Sequence, residues 1–311
     1  MTQTPLCLVA DIGGTNTRVA LADGACIRTD SVRRFRNTEF PDLDTILARY
    51  LGDGGVARVD GACVAAAGPV KDGVATMTNL DWTIDGGTLT RATGAGTVSI
   101  LNDLQAPGYA LGHIAPENLR PLITAPQVPG GTMLVINVGT GFNAAAVHDT
   151  SWGRMVTASE CGHVNMPVRT EADLRLAHFV ETAHGFPGVE DVMSGRGLER
   201  LHRHLHGIDT GSVAVLQAWQ AGDAAAAQTV MLWRDLLAGP LAMVLNVVGS
   251  SIVPVGGGLA NVPALITLLD GAVRANLLRS TDRPLLVPAA LTVEPGLVGA
   301  ALAGLAGLSH G

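Results

Sequence analysis

The sequence predicts an α/β fold made of two related domains, and three observations support this prediction. The chain opens with two short apolar runs, Leu6–Ala10 and Val19–Leu21, that flank the glycine pair Gly13-Gly14, a pattern typical of a β-hairpin. The stretch Met133–Val147 repeats this order of strand, glycine turn and strand. Elsewhere, short apolar runs alternate with segments of helical spacing, which indicates helices layered on mixed sheets.

The first glycine turn has the chemistry of a phosphate cradle. Its glycines leave no side chain in the way, so backbone N–H groups can approach an anion closely. The chain returns from strand to strand here, and neither GxGxxG nor GxxxxGK[ST] is present. An ordinary tight turn, with Asp11 as a capping or turn acceptor, is the alternative. The candidate phosphate-binding residues at this turn are Asp11, which could hold a hydrated cation, with Gly13, Gly14, Thr15, Asn16 and Thr17.

The composition limits the class of protein. The chain has 311 residues, 47% hydrophobic and 15% charged, which suffices for the cores of two domains. Its net charge of −7 argues against nucleic acid or an anionic membrane as the main partner. Phosphate must therefore be bound locally, by backbone dipoles, a few basic groups and a cation.

The cysteines and the apolar segments give an expected location. Cys7, Cys26, Cys63 and Cys161 lack CxxC spacing, so they predict neither a disulfide framework nor a zinc site. The N-terminus lacks the basic region of a signal peptide. The segment that comes closest to the roughly 18 apolar residues of a spanning helix, Leu237–Val255, is interrupted by polar residues. We expect a soluble cytoplasmic protein.

In the first half of the chain, apolar runs predict two further buried strands. Gly61–Ala67 is one, and Val98–Asn102 is the other, ending at Asn102 and Asp103. Cys26–Arg34 predicts a third antiparallel strand, and Phe40–Leu51 has helical spacing, with Asp42 or Asp44 favouring its start.

The second half is mostly helical by pattern. The predicted helices are Glu171–Ala183, Val189–His206, Val213–Asn246 (as two helices broken near Gly222 or Gly239), Ala264–Leu278 and Leu297–Leu308, and the predicted strands are Ser251–Gly258 and Leu285–Ala289.

Six short motifs, taken in this order, resemble those of the bacterial glucokinase family. They are DIGGTNTR, TNLDW, LND, VGTGFN, ECGHVN and VGGG. The family shares the ATP-binding fold of hexokinase, actin and heat-shock proteins. The resemblance therefore implies two ribonuclease-H-like domains around a central cleft, the cofactors ATP and Mg²⁺, and a possible homodimer. It suggests a small domain of residues 1–112, with the terminal helix 297–311 packing back on it, and a large domain of residues 113–296.

The resemblance also assigns roles at the sugar site. Asp103 becomes the general base for the attacking hydroxyl, although an aspartate after a strand can also cap a helix. Asn102 suits a sugar hydroxyl that both gives and takes a hydrogen bond, and Asn79 either acts similarly or is a turn residue. Glu160 and His163 form the second sugar-binding group, with a structural histidine as the alternative.

The nucleotide is expected to be held from both domains. The residues implied in the second domain are Gly139, Thr140 and Gly141 for the phosphates, with Gly256, Gly257 and Gly258 against adenine and ribose; plain loops are the alternative. Asp11 is expected to organise Mg²⁺ through water, since this ion keeps most of its hydration shell.

Two positions depart from the family pattern. Cys161 replaces the first glycine of Glu-Gly-Gly-His, so this loop must accept a side chain at negative φ. The family also places a glutamate before the Ser-Gly-x-Gly stretch that begins at Ser194, and counting back leads to Ala183 or His184, with Glu181 nearby but shifted. A histidine there favours a C2-substituted sugar such as N-acetylglucosamine, or mannose.

The predicted function is ATP-dependent phosphorylation of a hexose at O6, with glucose as the default. The alternatives are an amino-sugar kinase, a non-catalytic sugar sensor, and a phosphatase or chaperone-type ATPase on the same scaffold. Arg18 could meet phosphate or pair with a carboxylate. The cluster His202, His204 and His206 predicts a solvated helix face rather than a metal site.

Overall fold

A computed structural model describes residues 4–77, 80–111, 132–139, 141–248, 255–256, 262–276 and 297–303. By its internal contacts the chain divides into two compact units. The first comprises Met1–Asn118, Asp149–Ala158 and Thr292–Gly311, and the second comprises Leu119–His148 and Ser159–Leu291. In this division Asp149–Ala158 group with the first unit.

The first unit is built on a mixed sheet of six strands. Its order is β3-β2-β1-β5-β9, and β4 also pairs with β2. The β1–β2 pair is the predicted antiparallel hairpin, whereas β1, β5 and β9 run parallel. The strands are β1 Leu6–Ile12, β2 Asn16–Asp23, β3 Cys26–Ile27, β4 Arg33–Arg36, β5 Gly61–Ala66 and β9 Thr97–Asn102.

Both faces of this sheet are buried, because alternate residues of each strand point to opposite sides. On one face Leu8 and Ile12 belong to an apolar cluster with residues of two helices, α1 Leu43–Asp53 and α2 Gly86–Thr93. On the other face Cys7 and Val9 share a cluster with residues 297–303, which are helical, and with α3 Gln105–Ala110.

Local capping explains where two of these helices begin. Asp42 accepts a hydrogen bond of 2.8 Å from the Thr45 N–H and so caps α1, and Asp85 caps α2 in the same way through Thr88. A side-chain oxygen at this position satisfies an N–H that the helix itself leaves unpaired.

Between these elements the chain differs from the predicted third strand. Cys26–Arg34 is not continuous, because a 3₁₀ turn at Thr29–Ser31 separates β3 from β4. Trp82 is 7% exposed and belongs to the core. The chain around Trp82 forms a small antiparallel sheet of three strands, β6-β7-β8. Its strands are β6 Val70–Lys71, β7 Val74–Thr76 and β8 Thr83–Ile84.

The second unit repeats the opening device of the first. The antiparallel strands β10 Met133–Val138 and β11 Phe142–Thr150 form a hairpin, and β13 Val255–Gly256 pairs with β10 in parallel, as β5 does with β1. Strand β12, Gly153–Val156, lies in the segment assigned to the first unit. The predicted strand Leu285–Ala289 lies outside the described residues.

Helices form the rest of the second unit, and one prediction about them was wrong. The single helix predicted over Val189–His206 is interrupted at Ser194, whose extended backbone and hydroxyl cap the next helix through the Gly197 N–H. The predicted break at Gly222 is present. The helices are α4 Glu171–His184, α5 Val189–Met193, α6 Gly195–His206, α7 Ser212–Gln220, α8 Ala224–Val248 and α9 Pro263–Asn276.

Helix α8 is long and apolar enough to cross a membrane by length and composition alone. Half of its most apolar 18-residue stretch is nevertheless buried. The Trp233 side chain is fully buried in the apolar cluster of the second unit. Arg234 and Asp235 interrupt the apolar run with a 2.6 Å ion pair. These features identify α8 as the core helix around which α6, α7 and α9 pack.

Candidate active site

The first predicted phosphate turn joins β1 to β2 as expected. The Gly13 N–H donates to the Asn16 carbonyl over 2.9 Å and closes the turn. Thr15 is exposed at its tip, and Gly13 and Gly14 are half-buried. Neither glycine is among those of the described chain with a positive φ. The backbone N–H groups at this turn are therefore accessible because glycine has no side chain, and not because the backbone is left-handed.

Asn37, which the sequence did not single out, holds this turn in place. Its side-chain amide donates to the Gly13 carbonyl at 2.7 Å, and its Oδ1 accepts from the Thr17 hydroxyl at 2.8 Å. Its backbone N–H donates to the Thr15 carbonyl at 3.0 Å. Thr17 is fully buried, so its hydroxyl braces the turn instead of facing a ligand.

Asp11 lies at the end of β1 and forms a 3.2 Å ion pair with Arg18, whose role the sequence left open. Burial raises the pKa of the Asp11 carboxyl, and the neighbouring Arg18 guanidinium offsets part of that rise. Within the described residues no three His, Cys, Asp or Glu side chains come close enough to hold a metal ion. A single carboxylate fits a Mg²⁺ ion held through its own water shell, not an ion caged by the protein.

Asp103 lies at the same edge of the sheet as the phosphate turn. Ile12, Ala66 and Asn102, the last residues of the parallel strands β1, β5 and β9, are aligned in register. The Asp103 N–H donates to the Ala66 carbonyl at 3.0 Å. Two strand spacings, about 10 Å, separate the ends of β1 and β9. This is the edge of a parallel sheet at which ligands bind in α/β proteins.

Asn102 is buried and its amide is already hydrogen-bonded. Its Nδ2 donates to the Gly68 carbonyl at 3.0 Å, and its Oδ1 accepts from the Leu104 N–H at 2.9 Å. These bonds fix the turn that carries Asp103. Asp103 does not cap α3, whose N-cap is Leu104 with no side-chain bond.

In the second unit, the second glycine turn contacts the start of α6. The Gly195 N–H donates to the Gly139 carbonyl at 2.7 Å, and the Gly139 N–H donates to the Gly141 carbonyl at 2.9 Å. A Cβ added to Gly141 would lie 2.5 Å from the Glu190 Oε2 atom, so a side chain there would displace the Glu190 carboxylate. Thr140 lies outside the described residues.

Glu160 and His163 lie in one short loop that Asn143 anchors. The Asn143 amide donates to the Glu160 carboxylate at 3.1 Å and to the Ser159 carbonyl at 2.6 Å, and its Oδ1 accepts from the Cys161 N–H at 3.1 Å. The Glu160 and His163 side chains are exposed, which leaves them accessible to a sugar.

The loop accepts the side chain of Cys161, which replaces a glycine of the family pattern, without a positive φ, as predicted. Cys161 begins a 3₁₀ turn and is not among the described residues with positive φ. Burial raises the pKa of its thiol, so the thiol stays protonated and unreactive. Gly162 has no such freedom, because a Cβ there would lie 2.1 Å from the Phe142 carbonyl oxygen.

The structure identifies a carboxylate that the sequence reading missed. Glu190 precedes Ser194 by four residues, and a Cβ on Gly162 would lie 3.1 Å from its own Cβ. Its Oε2 accepts from the Phe142 N–H at 3.1 Å, and its Oε1 accepts from Arg196 at 2.9 Å. Glu190 therefore lies between the Gly139–Gly141 turn and the Glu160 loop.

His184 forms no side-chain hydrogen bond or ion pair with Glu160, His163 or Glu190, and its predicted sugar contact stays a prediction. It is the exposed last residue of α4, and its side chain forms no hydrogen bond with other residues in the described part of the chain. Burial and the nearby Arg200 lower the pKa of its imidazole. Glu190 is four residues before Ser194, whereas His184, the position that the sequence analysis reached, is ten residues before it.

The structure describes only some of the remaining predicted site residues. Asn79, Gly257 and Gly258 lie outside the described residues, and Gly256 is described only as backbone in β13. The solvated face predicted for the histidine cluster is wrong for His202, which is 5% exposed and lies 2.9 Å from the Thr229 hydroxyl.

Comparison with known proteins agrees with this arrangement. The sequence profile described as Glucokinase matches residues 8–304. A glucokinase from Caulobacter sp. is 31% identical over 313 residues, which cover 95% of this chain and 94% of that protein.

Solved structures share the fold. A glucokinase from an Antarctic psychrotroph has a TM-score of 0.78 at 24% identity, over 97% of this chain and 99% of that one. A ROK family glucokinase from Streptomyces griseus, in complex with glucose and AMPPNP, has a TM-score of 0.67 at 19% identity, over 96% of this chain and 99% of that one. These likenesses confirm the predicted fold class, and the sequence matches identify the chain as a member of the glucokinase family.

Proposed function

We propose that this protein transfers the γ-phosphoryl group of ATP to the O6 hydroxyl of a hexose, with glucose as the substrate. The observation that carries the proposal is the alignment of Ile12, Ala66 and Asn102, because it brings Asp103 and the Gly13–Thr15 turn to one edge of the sheet. Family membership supports the reaction, and the Streptomyces griseus relative holds both a hexose and an ATP analogue.

Three side chains of the second unit are proposed to bind the sugar. Glu160 and His163 lie in one loop and Glu190 lies beside it, and carboxylates can accept hydrogen bonds from adjacent hydroxyls. The argument for an amino sugar or mannose depended on a histidine standing where the family has a glutamate. Glu190 removes that premise, so glucose is the preferred substrate of the proposal.

Asp103 is proposed to act as the general base. Its carboxylate accepts the proton of the O6 hydroxyl while that oxygen bonds to the γ-phosphorus and the bond to ADP breaks. A positioned base of this kind contributes about 10²–10⁴-fold in rate. Mg²⁺, held through water near Asp11, supplies neutralisation of phosphate charge when bound. The N–H groups of Gly14 and Thr15 orient the phosphates.

Other expectations stay predictions under this proposal. They are the domain limits at residues 112 and 296, phosphate contacts of Gly139–Gly141, sugar contacts of Asn79 and Asn102, adenine contacts of Gly256–Gly258, a homodimer, and a cytoplasmic location.

A coupled assay of ADP release with a panel of sugars tests the proposal. We expect turnover that depends on glucose and exceeds that with N-acetylglucosamine or mannose. Asp103→Asn keeps the shape of the side chain and removes its basicity, so turnover should fall at least 10²-fold with a much smaller change in glucose affinity. Asp53→Asn, an exposed exchange on α1, is the control and should behave as wild type.

The other outcomes separate the alternatives. ADP release without sugar would indicate an ATPase, and sugar binding without turnover would indicate a sensor. Preference for N-acetylglucosamine would overturn the assignment of Glu190. An Asp103→Asn variant that keeps more than a tenth of wild-type turnover would exclude Asp103 as the base.

A further inference from the structure

Three charged residues form a row across neighbouring strands of the first unit. Asp11 on β1 is directly opposite Arg18 on β2, and Arg18 is directly opposite Arg34 on β4. Directly opposed residues of antiparallel strands project to the same face, with Cβ atoms about 5 Å apart. The three side chains therefore share one face, and Arg36 joins them because it is two residues beyond Arg34.

The charges in this row do not balance. Asp11 pairs with Arg18 at 3.2 Å, which leaves no carboxylate of the row for Arg34. Neither Arg34 nor Arg36 forms an ion pair or a side-chain hydrogen bond with any residue in the described part of the chain. Like charges directly opposite each other destabilise a sheet, so an anion bound beside Arg34 would relieve the repulsion that Asp11, which pairs with Arg18, leaves in place.

The row ends at the phosphate turn. Arg36 is opposite Asn16, the first residue after the turn. Asn37, which follows Arg36, contacts the carbonyls of both Gly13 and Thr15. Strand β4 is thus attached directly to the turn, and Arg34 lies about 7 Å along the strand from Arg36, a span that an extended arginine side chain can cover.

We propose that Arg34 and Arg36 bind the phosphate groups of the nucleotide held at the Gly13–Thr15 turn, as positioning residues for the phosphoryl donor. Arginine suits this role, because its planar guanidinium can donate two parallel hydrogen bonds to phosphate oxygens. In a chain with a net charge of −7, such a local row also draws an anionic ligand to this edge. The inference rests on the proposed function, since it takes the ligand of this turn to be a nucleotide.

Calorimetric titration of the full chain with AMPPNP and with adenosine tests the proposal. Arg34→Gln and Arg36→Gln should each weaken AMPPNP binding about ten- to a hundred-fold, the usual effect of losing a hydrogen bond to a charged group. Adenosine, which has no phosphate, should bind each variant as it binds wild type. Arg34→Lys keeps the charge and should recover part of the affinity.

The chain provides a matched control on the same strand. Arg33 points to the opposite face of β4 from Arg34, and its guanidinium donates to the carbonyls of Asp30 and Val32. Arg33→Gln should bind AMPPNP within twofold of wild type. If Arg34→Gln does not fold, as judged by circular dichroism, Arg36→Gln and Arg34→Lys still decide the question.

Equal AMPPNP affinity for wild type and both glutamine variants would overturn the inference, as would an equal loss of adenosine and AMPPNP binding. Failure of wild type to bind AMPPNP would overturn it too. Sugar-dependent turnover is measured separately, so a chain that binds AMPPNP through these arginines but phosphorylates no sugar would refute the proposed function alone.

Discussion

Replacing Gly162 by alanine tests whether the proposed sugar loop depends on one close backbone approach. A Cβ at this position would lie 2.1 Å from the Phe142 carbonyl oxygen and 3.1 Å from the Glu190 side chain. The first contact is with backbone in strand β11, which is hydrogen-bonded to β10 and cannot move aside cheaply. The loop that carries Glu160 and His163 must therefore move.

The size of the movement follows from the contact distance. An ordinary contact between carbon and oxygen is about 3.3 Å, so the loop must shift by about 1 Å. A displacement of this size in a substrate-positioning group costs about 10²-fold in catalysis. Crowding of this kind also lowers the free energy of unfolding by about 1–3 kcal/mol, which leaves a domain of ordinary stability folded.

Steady-state kinetics with glucose and ATP, beside thermal unfolding, measure both effects. We expect kcat/KM for glucose to fall about 10²-fold in Gly162→Ala, while the KM for ATP stays near the wild-type value. Cys161→Ala, the neighbouring exchange, removes a side chain that the loop already accommodates and should stay within threefold of wild type. A Gly162→Ala enzyme with wild-type kcat/KM would refute the reasoning that this loop positions the sugar.

Two further predictions concern other parts of the molecule. Asn37→Ala removes the partners of the Thr17 hydroxyl and the Gly13 carbonyl, so we expect a loss of about 1–3 kcal/mol in unfolding free energy and a rise in the KM for ATP that exceeds the rise for glucose. Burial and the adjacent His206 lower the pKa of the His202 imidazole below its usual 6.5. As the pH falls, this imidazole is therefore protonated at a higher pH in the unfolded chain than in the folded chain. Urea unfolding should show stability falling between pH 7.5 and 5.5 by up to about 1.4 kcal/mol per pH unit from this group, and His202→Gln should reduce that slope; an unchanged slope would contradict the role of His202.

Much of the framework could be read from local patterns. The alternation of apolar runs with glycine turns located both hairpins, and the apolar run before Asp103 located β9. The break near Gly222 could also be read locally, since Gly222 has a φ of +90°, a conformation that other residues rarely adopt. These features depend on neighbours in sequence, so the sequence is sufficient to predict them.

Features that depend on distant partners could not be read in this way. The sequence predicted one helix across Ser194, because nothing local shows that its hydroxyl caps α6. It predicted a solvated face for His202, because helical spacing does not reveal the Thr229 hydroxyl 27 positions away. It also missed Asn37 and Asn143, whose amides brace turns far along the chain.

By itself, the sequence determined the α/β class, the two glycine turns and the carboxylate at the end of β9, since strand and turn propensities act over a few residues. Only the tertiary structure decided which carboxylate lies beside the Glu160 loop, and that Arg34 shares a face with Asp11. The reason is physical: register and packing bring together side chains that are distant along the chain, and no local periodicity records which of them will meet.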